Sequence, residues 1–324
     1  MPRPWVIMVI AGALSGMAAV AAWKAEADRR FYDGYDRDAP LRASVSEAVA
    51  VEATMRAFGQ TLRTRYRRQR VEFDARPGER VPAVLTLPMK ADGPVPAIVL
   101  LHGSHQQKEF VEQICTPFNE AGFAMACFDQ YGRGERKAPG GSLAAALAFR
   151  QRCWKTVHET RRLIDYLLTR SDIDGKRIYL VGASYGAITG VAALAQEDRI
   201  RAAILVVGGG DLPLLLQGRE AQRLVPGWLA PLAARLLMFW LGPAEPLRHA
   251  PRVVQTPVLM QNGRNDSVVI PESGRALFAA LGGPKEIRWY PIDHPDREKN
   301  GGEVLKMLAE ALAWLQSQDA ARRD

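Results

Sequence analysis

The sequence predicts an α/β fold: a mostly parallel sheet covered by helices on both faces, with a helical cap insertion and an apolar helix at the N-terminus. Three observations carry that prediction. From residue 71 onward short apolar runs alternate with amphipathic ones, the pattern of successive βαβ units. One run, Ile178-Tyr179-Leu180-Val181, passes straight into Gly182-Ala183-Ser184-Tyr185-Gly186, a Gly-x-Ser-x-Gly turn able to lift a serine out of a sharp strand-to-helix corner. Two later runs end in loops that carry Asp266 and His294.

Taken in order, residues 5–23 contain no charge. That approaches the roughly 20 apolar residues that span a bilayer, so a membrane anchor over 1–23 is expected. Ala19-Val20-Ala21 also suits the cleavage site of an export signal. Lys24, Arg29, Arg30, Arg37 and Arg42 follow the span, which leans toward a cytoplasmic domain, whereas the short basic start leans the other way. The expectation is a membrane-anchored or exported protein with the bilayer as a partner. Residues 24–70 read as a basic helical linker, because Ser44 followed by Glu47 resembles a capping box for a helix over 44–70.

The globular domain is expected over 71–324. Strands at 71–73 and 81–87 flank the turn Arg76-Pro77-Gly78-Glu79, as in a hairpin at a sheet edge. Then come a strand at 97–101, a helix at 111–121, a strand at 124–128, a helix at 154–169 and the strand 178–181, with a small-residue helix after the serine. Further strands are read at 202–207, 258–261 and 286–290, and a closing helix at 304–315. Residues 211–252 are far too long for an ordinary connection and are expected to form a helical lid. Its stripe of Leu232, Leu236, Phe239 and Trp240 fits packing on the core, an acyl-binding wall or contact with a membrane.

Composition removes several functions. The 324 residues carry 43 Lys and Arg against 35 Asp and Glu, a net charge of +8. Much of the excess is Arg63, Arg65, Arg67, Arg68 and Arg70, with only Tyr66 interleaved and no zinc-finger, helix-turn-helix or RNA-recognition pattern, so no nucleic-acid partner is expected. Cys115, Cys127 and Cys153 form neither a disulfide framework nor a metal-type spacing. His102 and His105 lack clustered Cys, Asp or Glu ligands, so neither metal nor cofactor is expected.

A serine hydroxyl becomes an effective nucleophile only when a base takes its proton and a carboxylate holds that base. His294, after the last strand, is the candidate base, and Asp266, after the strand 258–261, is the candidate orienting acid. Asp211 and Asp293 are rivals; the strand order favours Asp266. All three groups then lie at the carboxyl edge of the sheet, where open α/β sheets bind ligands. Leu101-His102-Gly103-Ser104 supplies an oxyanion loop, with the backbone N–H groups of Tyr185 and Ser104 as donors.

Together, His102-Gly103-Ser104, Asp129-Gln130-Tyr131-Gly132-Arg133-Gly134, the Gly182–Gly186 elbow, Asn262 through Asp266 and His294 make the chain resemble an α/β-hydrolase. It is most similar to the dienelactone-hydrolase and acetyl-xylan-esterase-like branch of serine esterases. The resemblance implies a mixed sheet of about eight strands and hydrolysis of a small-molecule ester, hydrophobic if the cap lines the site. Dienelactone hydrolases proper use cysteine, so Ser184 points toward ordinary carboxylic esters. Three alternatives stand beside this: an oligopeptidase or amidase without a propeller, since about 70 residues precede the first expected strand; an acyltransferase; and a non-catalytic binding module at the membrane.

Overall fold

A computed structural model describes residues 4–57, 59–136, 142–295 and 299–321 of the protein. The chain divides into two units, Met1–Tyr35 and Asp36–Asp324. The first is a helix, α1 (Pro4–Arg29). Among the described residues no helix is long and apolar enough to cross a membrane, so the expected anchor finds no support there. The share of that expectation resting on the side chains of residues 1–14 lies outside what is described.

The second unit is built on one sheet. Its strands are β1 (Ser44–Val45), β2 (Val49–Ala57), β3 (Gln60–Arg76), β4 (Glu79–Leu87), β5 (Val95–Leu101), β6 (Ala124–Phe128), β7 (Ile173–Ala183), β8 (Ile200–Val206), β9 (Val258–Gly263) and β10 (Lys285–Tyr290). They run in the order β1-β3-β4-β6-β5-β7-β8-β9-β10, with β2 on β3, so ten strands among the described residues replace the eight expected. The pairs from β6 through β10 are parallel, and β1, β2 and β4 join antiparallel. The helices are α2 (Phe110–Glu120), α3 (Ser142–Leu168), α4 (Tyr185–Gln196), α5 (Leu212–Leu215), α6 (Arg219–Leu224), α7 (Ala230–Leu241), α8 (Pro246–His249), α9 (Pro271–Ala280) and α10 (Gly301–Ala320). α2 and α10 meet on one face of the sheet, and α3 and α4 pack together on the other.

The two added strands correct the helix expected over 44–70 and the linker expected over 24–70. Residues 62–66 alternate: Thr64 and Tyr66 are buried while Arg63 and Arg65 are exposed, the period of a strand with one wet face. Ser44 caps no helix; its hydroxyl accepts from Arg80 at 2.8 Å. The arginines lie on a twisted ribbon and pair locally, Arg65 with Glu52 at 3.1 Å and Arg68 with Glu112 at 3.3 Å.

The inner strands are apolar throughout because both faces are covered: β5 and β6 are buried at every residue. Cys115, Cys127 and Cys153 are buried free thiols, and burial pushes Cys115 up to about 12, so they act as small apolar side chains.

The closing helix is fastened at its far end. Asp319 accepts from Arg177 Nε at 2.7 Å, from an Arg177 terminal nitrogen at 2.6 Å and from the Tyr179 hydroxyl at 2.8 Å, and its side chain is only 2% exposed. Removing one partner of a buried pair leaves the other charge without compensation. Asp319→Ala is therefore expected to lower unfolding free energy by about 3 kcal/mol, read as a lower urea midpoint; an unchanged midpoint would show that α10 is not held there.

Candidate active site

The site grows from four loops at the carboxyl edge. Strand β7 ends at Ala183, and Ser184 turns the chain with φ 53° and ψ −115°, a conformation that costs a residue with a side chain about 1–3 kcal/mol. The two glycines of the elbow make that turn feasible. A Cβ on Gly182 would lie 2.6 Å from the Gly186 carbonyl oxygen, and one on Gly186 would lie 2.0 Å from that of Leu101. Glycine at 186 is thus demanded by the neighbouring strand β5.

The three groups expected from the sequence are brought together. Ser184 Oγ lies 3.1 Å from His294 Nε2, and His294 Nδ1 donates to Asp266 Oδ2 at 2.9 Å and Oδ1 at 3.1 Å. Asp266 is buried, and its Oδ1 also accepts from the N–H groups of Val268 and Val269, both at 2.8 Å. Three donors thus converge on one carboxylate, which in turn fixes the imidazole. The rivals do other work. Asp293 accepts from Ser267 and from the backbone N–H of His294 at 2.7 Å, joining the two loops. Asp211 has a left-handed backbone, and its N–H donates to Glu245 at 2.8 Å, closing the base of the cap.

The oxyanion loop follows β5. Gly103 N–H donates to Gln106 Oε1 at 2.8 Å, so that donor is engaged. Ser104 lines the same cavity as Ser184, and Tyr185 opens α4, where a helix leaves its first N–H groups without intrahelical acceptors. Sequence reasoning named the Asp129–Gly134 motif without a role and missed Arg152 and Lys108 behind the loop. Gln130 donates to the His102 carbonyl at 3.0 Å and accepts from Arg152 Nε at 3.0 Å; the Arg152 guanidinium stands 3.9 Å from the centre of the Tyr185 ring. Asp129, fully buried, accepts from the Lys108 backbone N–H at 2.8 Å, from Lys108 Nζ at 2.9 Å and from the Glu135 N–H at 2.9 Å. Gly134 leaves that carboxylate its room, since a Cβ there would sit 2.1 Å from both oxygens. The Asp129–Gly134 motif is thus a clamp beneath the site.

One cavity of about 480 Å³ opens at the nucleophile. Its mouth is Gly103, Ser104, His105, Gln106, Ser184 and His294, and among the described residues no Asp, Glu, Lys or Arg lines it. Among the described residues the expected lid contributes nothing to that lining: none of those lining the cavity falls within 211–252. The lid is helical, as expected, but Leu232, Leu236 and Phe239 are each more than half exposed. Their stripe follows one side of α7 and faces away from the protein interior.

Residues 111–318 match the model of the prolyl oligopeptidase family. The chain belongs to that family. It is thus a serine hydrolase of the α/β-hydrolase fold. The family member is similar to acetyl xylan esterase 1 from a Thermoanaerobacterium species, with 20% identity, a TM-score of 0.64, and 89% of this chain and 93% of that one covered. It is also similar to a puromycin-hydrolyzing peptidase of Mycobacterium tuberculosis, at 22% identity and a TM-score of 0.59, covering 80% of this chain and 42% of that one. A Bacillus subtilis (strain 168) protein provisionally named as the hydrolase YtaP is 24% identical over 184 residues. That match spans 51% of this chain and 62% of the relative's length.

His102 gives the site a pH signature in stability. It is fully buried, its Nδ1–H donates to the Gly103 carbonyl at 2.8 Å, and burial pushes its pKa down to about 4 from the ordinary 6.5. An unfolded chain takes up this proton below 6.5 while the folded one resists until about 4. The stabilisation is complete above 6.5 and is lost as pH falls through that window. Between pH 7 and 5, His102→Gln is expected to lose about 2 kcal/mol less unfolding free energy than the unsubstituted protein. Denaturant melts at both pH values test this, and equal losses would contradict it.

Proposed function

We propose that this serine hydrolase cleaves carboxylic esters through an acyl-enzyme on Ser184. The observation that carries the reading is the relay of Ser184 Oγ, His294 Nε2 and Asp266 at 3.1 and 2.9 Å, opening into a cavity whose described lining is uncharged. Ser184 Oγ attacks the carbonyl carbon while its proton passes to His294 Nε2. The carbonyl oxygen becomes an oxyanion, met by the backbone N–H groups of Tyr185 and Ser104. The intermediate collapses, the ester C–O bond breaks, and His294 returns the proton to the departing alcohol. Water then attacks the acyl carbon, giving a proton to His294, and collapse releases the acid and restores the serine hydroxyl. Asp266 stabilises the imidazolium in both halves.

Preference for esters over peptides is supported by the lining. A peptidase acting near a chain terminus needs a charge to hold that terminus, and none lines the cavity among the described residues. The similarity to acetyl xylan esterases favours the same reading, whereas the peptidase similarity favours amides. Matched p-nitrophenyl esters and aminoacyl p-nitroanilides separate the two, and faster amide turnover would reverse the preference.

For the nucleophile itself, Ser184→Ala is expected to abolish labelling by a fluorophosphonate probe and to lower kcat by about 10⁴ or more. Persistent labelling of the folded variant would remove Ser184 from its role. Asp266→Asn should also lower kcat, by about 10⁴, with labelling slowed in parallel.

A further inference from the structure

We infer that the cavity between α2 and α10 is the acyl pocket and that it selects a linear acyl chain of roughly eight carbons. The inference rests on the ester-hydrolase reading and names its substrate class. The cavity that opens at Ser184 continues down the face of the sheet opposite α4. One wall is Phe110, Ile114 and Phe118 of α2; the other is Val304, Met307, Leu308 and Ala311 of α10. Leu100, Val181 and Val206 form its floor on the sheet.

Its depth follows from helix geometry. Both helices leave the catalytic edge, α2 after β5 and α10 after β10, and return along the strands. From residue 110 to 118, at about 1.5 Å per residue, the wall runs about 12 Å, and from 304 to 311 about 10 Å. An extended alkyl chain, with C–C bonds near 1.5 Å and near-tetrahedral angles, advances about 1.25 Å per carbon. Eight carbons therefore reach roughly from the serine to Phe118 and Ala311. The volume falls within the ordinary range for a small-molecule site.

The occupant is the acyl group because of the order of events. The acyl group stays covalently attached after the first C–O bond breaks, so a deep pocket does not impede it. The alcohol must take its proton from His294 and leave before water enters, and an alcohol lodged in the pocket would have to pass the acyl-enzyme. The far wall is held in place: Gln261 donates to the Met307 carbonyl at 2.9 Å and to the Tyr290 hydroxyl at 2.8 Å.

The test is kcat/KM for p-nitrophenyl esters from acetate to hexadecanoate, with two variants at the deep end. The unsubstituted protein is expected to gain up to about fourfold per methylene, peak near octanoate and fall beyond decanoate. Ala311→Leu, which fills the bottom, should lower the octanoate-to-acetate ratio by about tenfold. Phe118→Leu, which opens the bottom, should move the peak to longer chains. General damage to folding would lower every ester alike and leave these ratios unchanged, so opposite shifts are specific to the pocket. Ser184-dependent turnover that declines steadily from acetate, or ratios that neither variant moves in folded protein, overturns the pocket and leaves the hydrolase reading standing. Cleavage of amides with no ester turned over at any length overturns the ester reading and the acyl assignment together.

Discussion

The site depends on a contact between backbones. Gly186 approaches the Leu101 carbonyl so closely that a Cβ would lie 2.0 Å from its oxygen, and Gly182 is pressed against the first turn of α4 in the same way. These approaches hold Ser184 at its positive φ, because three pieces of backbone would have to separate before the serine could relax. They also couple two functions. Leu101 is the last residue of β5, and the oxyanion loop begins at the next residue. The strand that demands glycine at 186 therefore also fixes where Ser104 stands relative to the nucleophile.

A parallel sheet ends in backbone groups that no longer have ladder partners, and at this edge buried and half-buried side chains supply them. Gln130 meets the His102 carbonyl, Gln106 meets the Gly103 N–H, and Asp129 meets the N–H groups of residues 108 and 135. Each side chain would be costly if left unpaired, and each is paired to the loop that it supports. Arg152 is the most expensive member, since burial pushes its guanidinium down to about 10. The Tyr185 ring and Gln130 offset part of that cost.

The carboxyl ends of the strands were legible in the sequence because apolar runs stop where the covering helices stop. β10 ends at residue 290, as expected, and β9 runs two residues past the expected 261 to Gly263, so the loops bearing Asp266 and His294 still follow the strands that were expected to carry them. The ribbon over 44–76 was misread for a physical reason. Arginine has good helix propensity, and a Ser-x-x-Glu start outweighed a two-residue alternation that is visible once Thr64 and Tyr66 are known to be buried. The lid shows a second limit. A stripe of Leu232, Leu236 and Phe239 shows that a helix has an apolar side, but not what covers it. Gln106 and Arg152 left no signal in spacing, and Gln130 only its place in a motif, because their partners are set by the fold.

Topology explains why the cavity lies on the α2 and α10 side. Both helices start at the catalytic edge and pack against each other, and α10 begins only a few residues after His294. The catalytic base and one wall of the cavity thus belong to one short stretch of chain, tied down by Gln261 at Met307 and by Arg177 and Tyr179 at Asp319. The base is also held from the β9 loop, since Asp266 accepts from its imidazole and Asp293, bonded to Ser267, accepts from its backbone N–H.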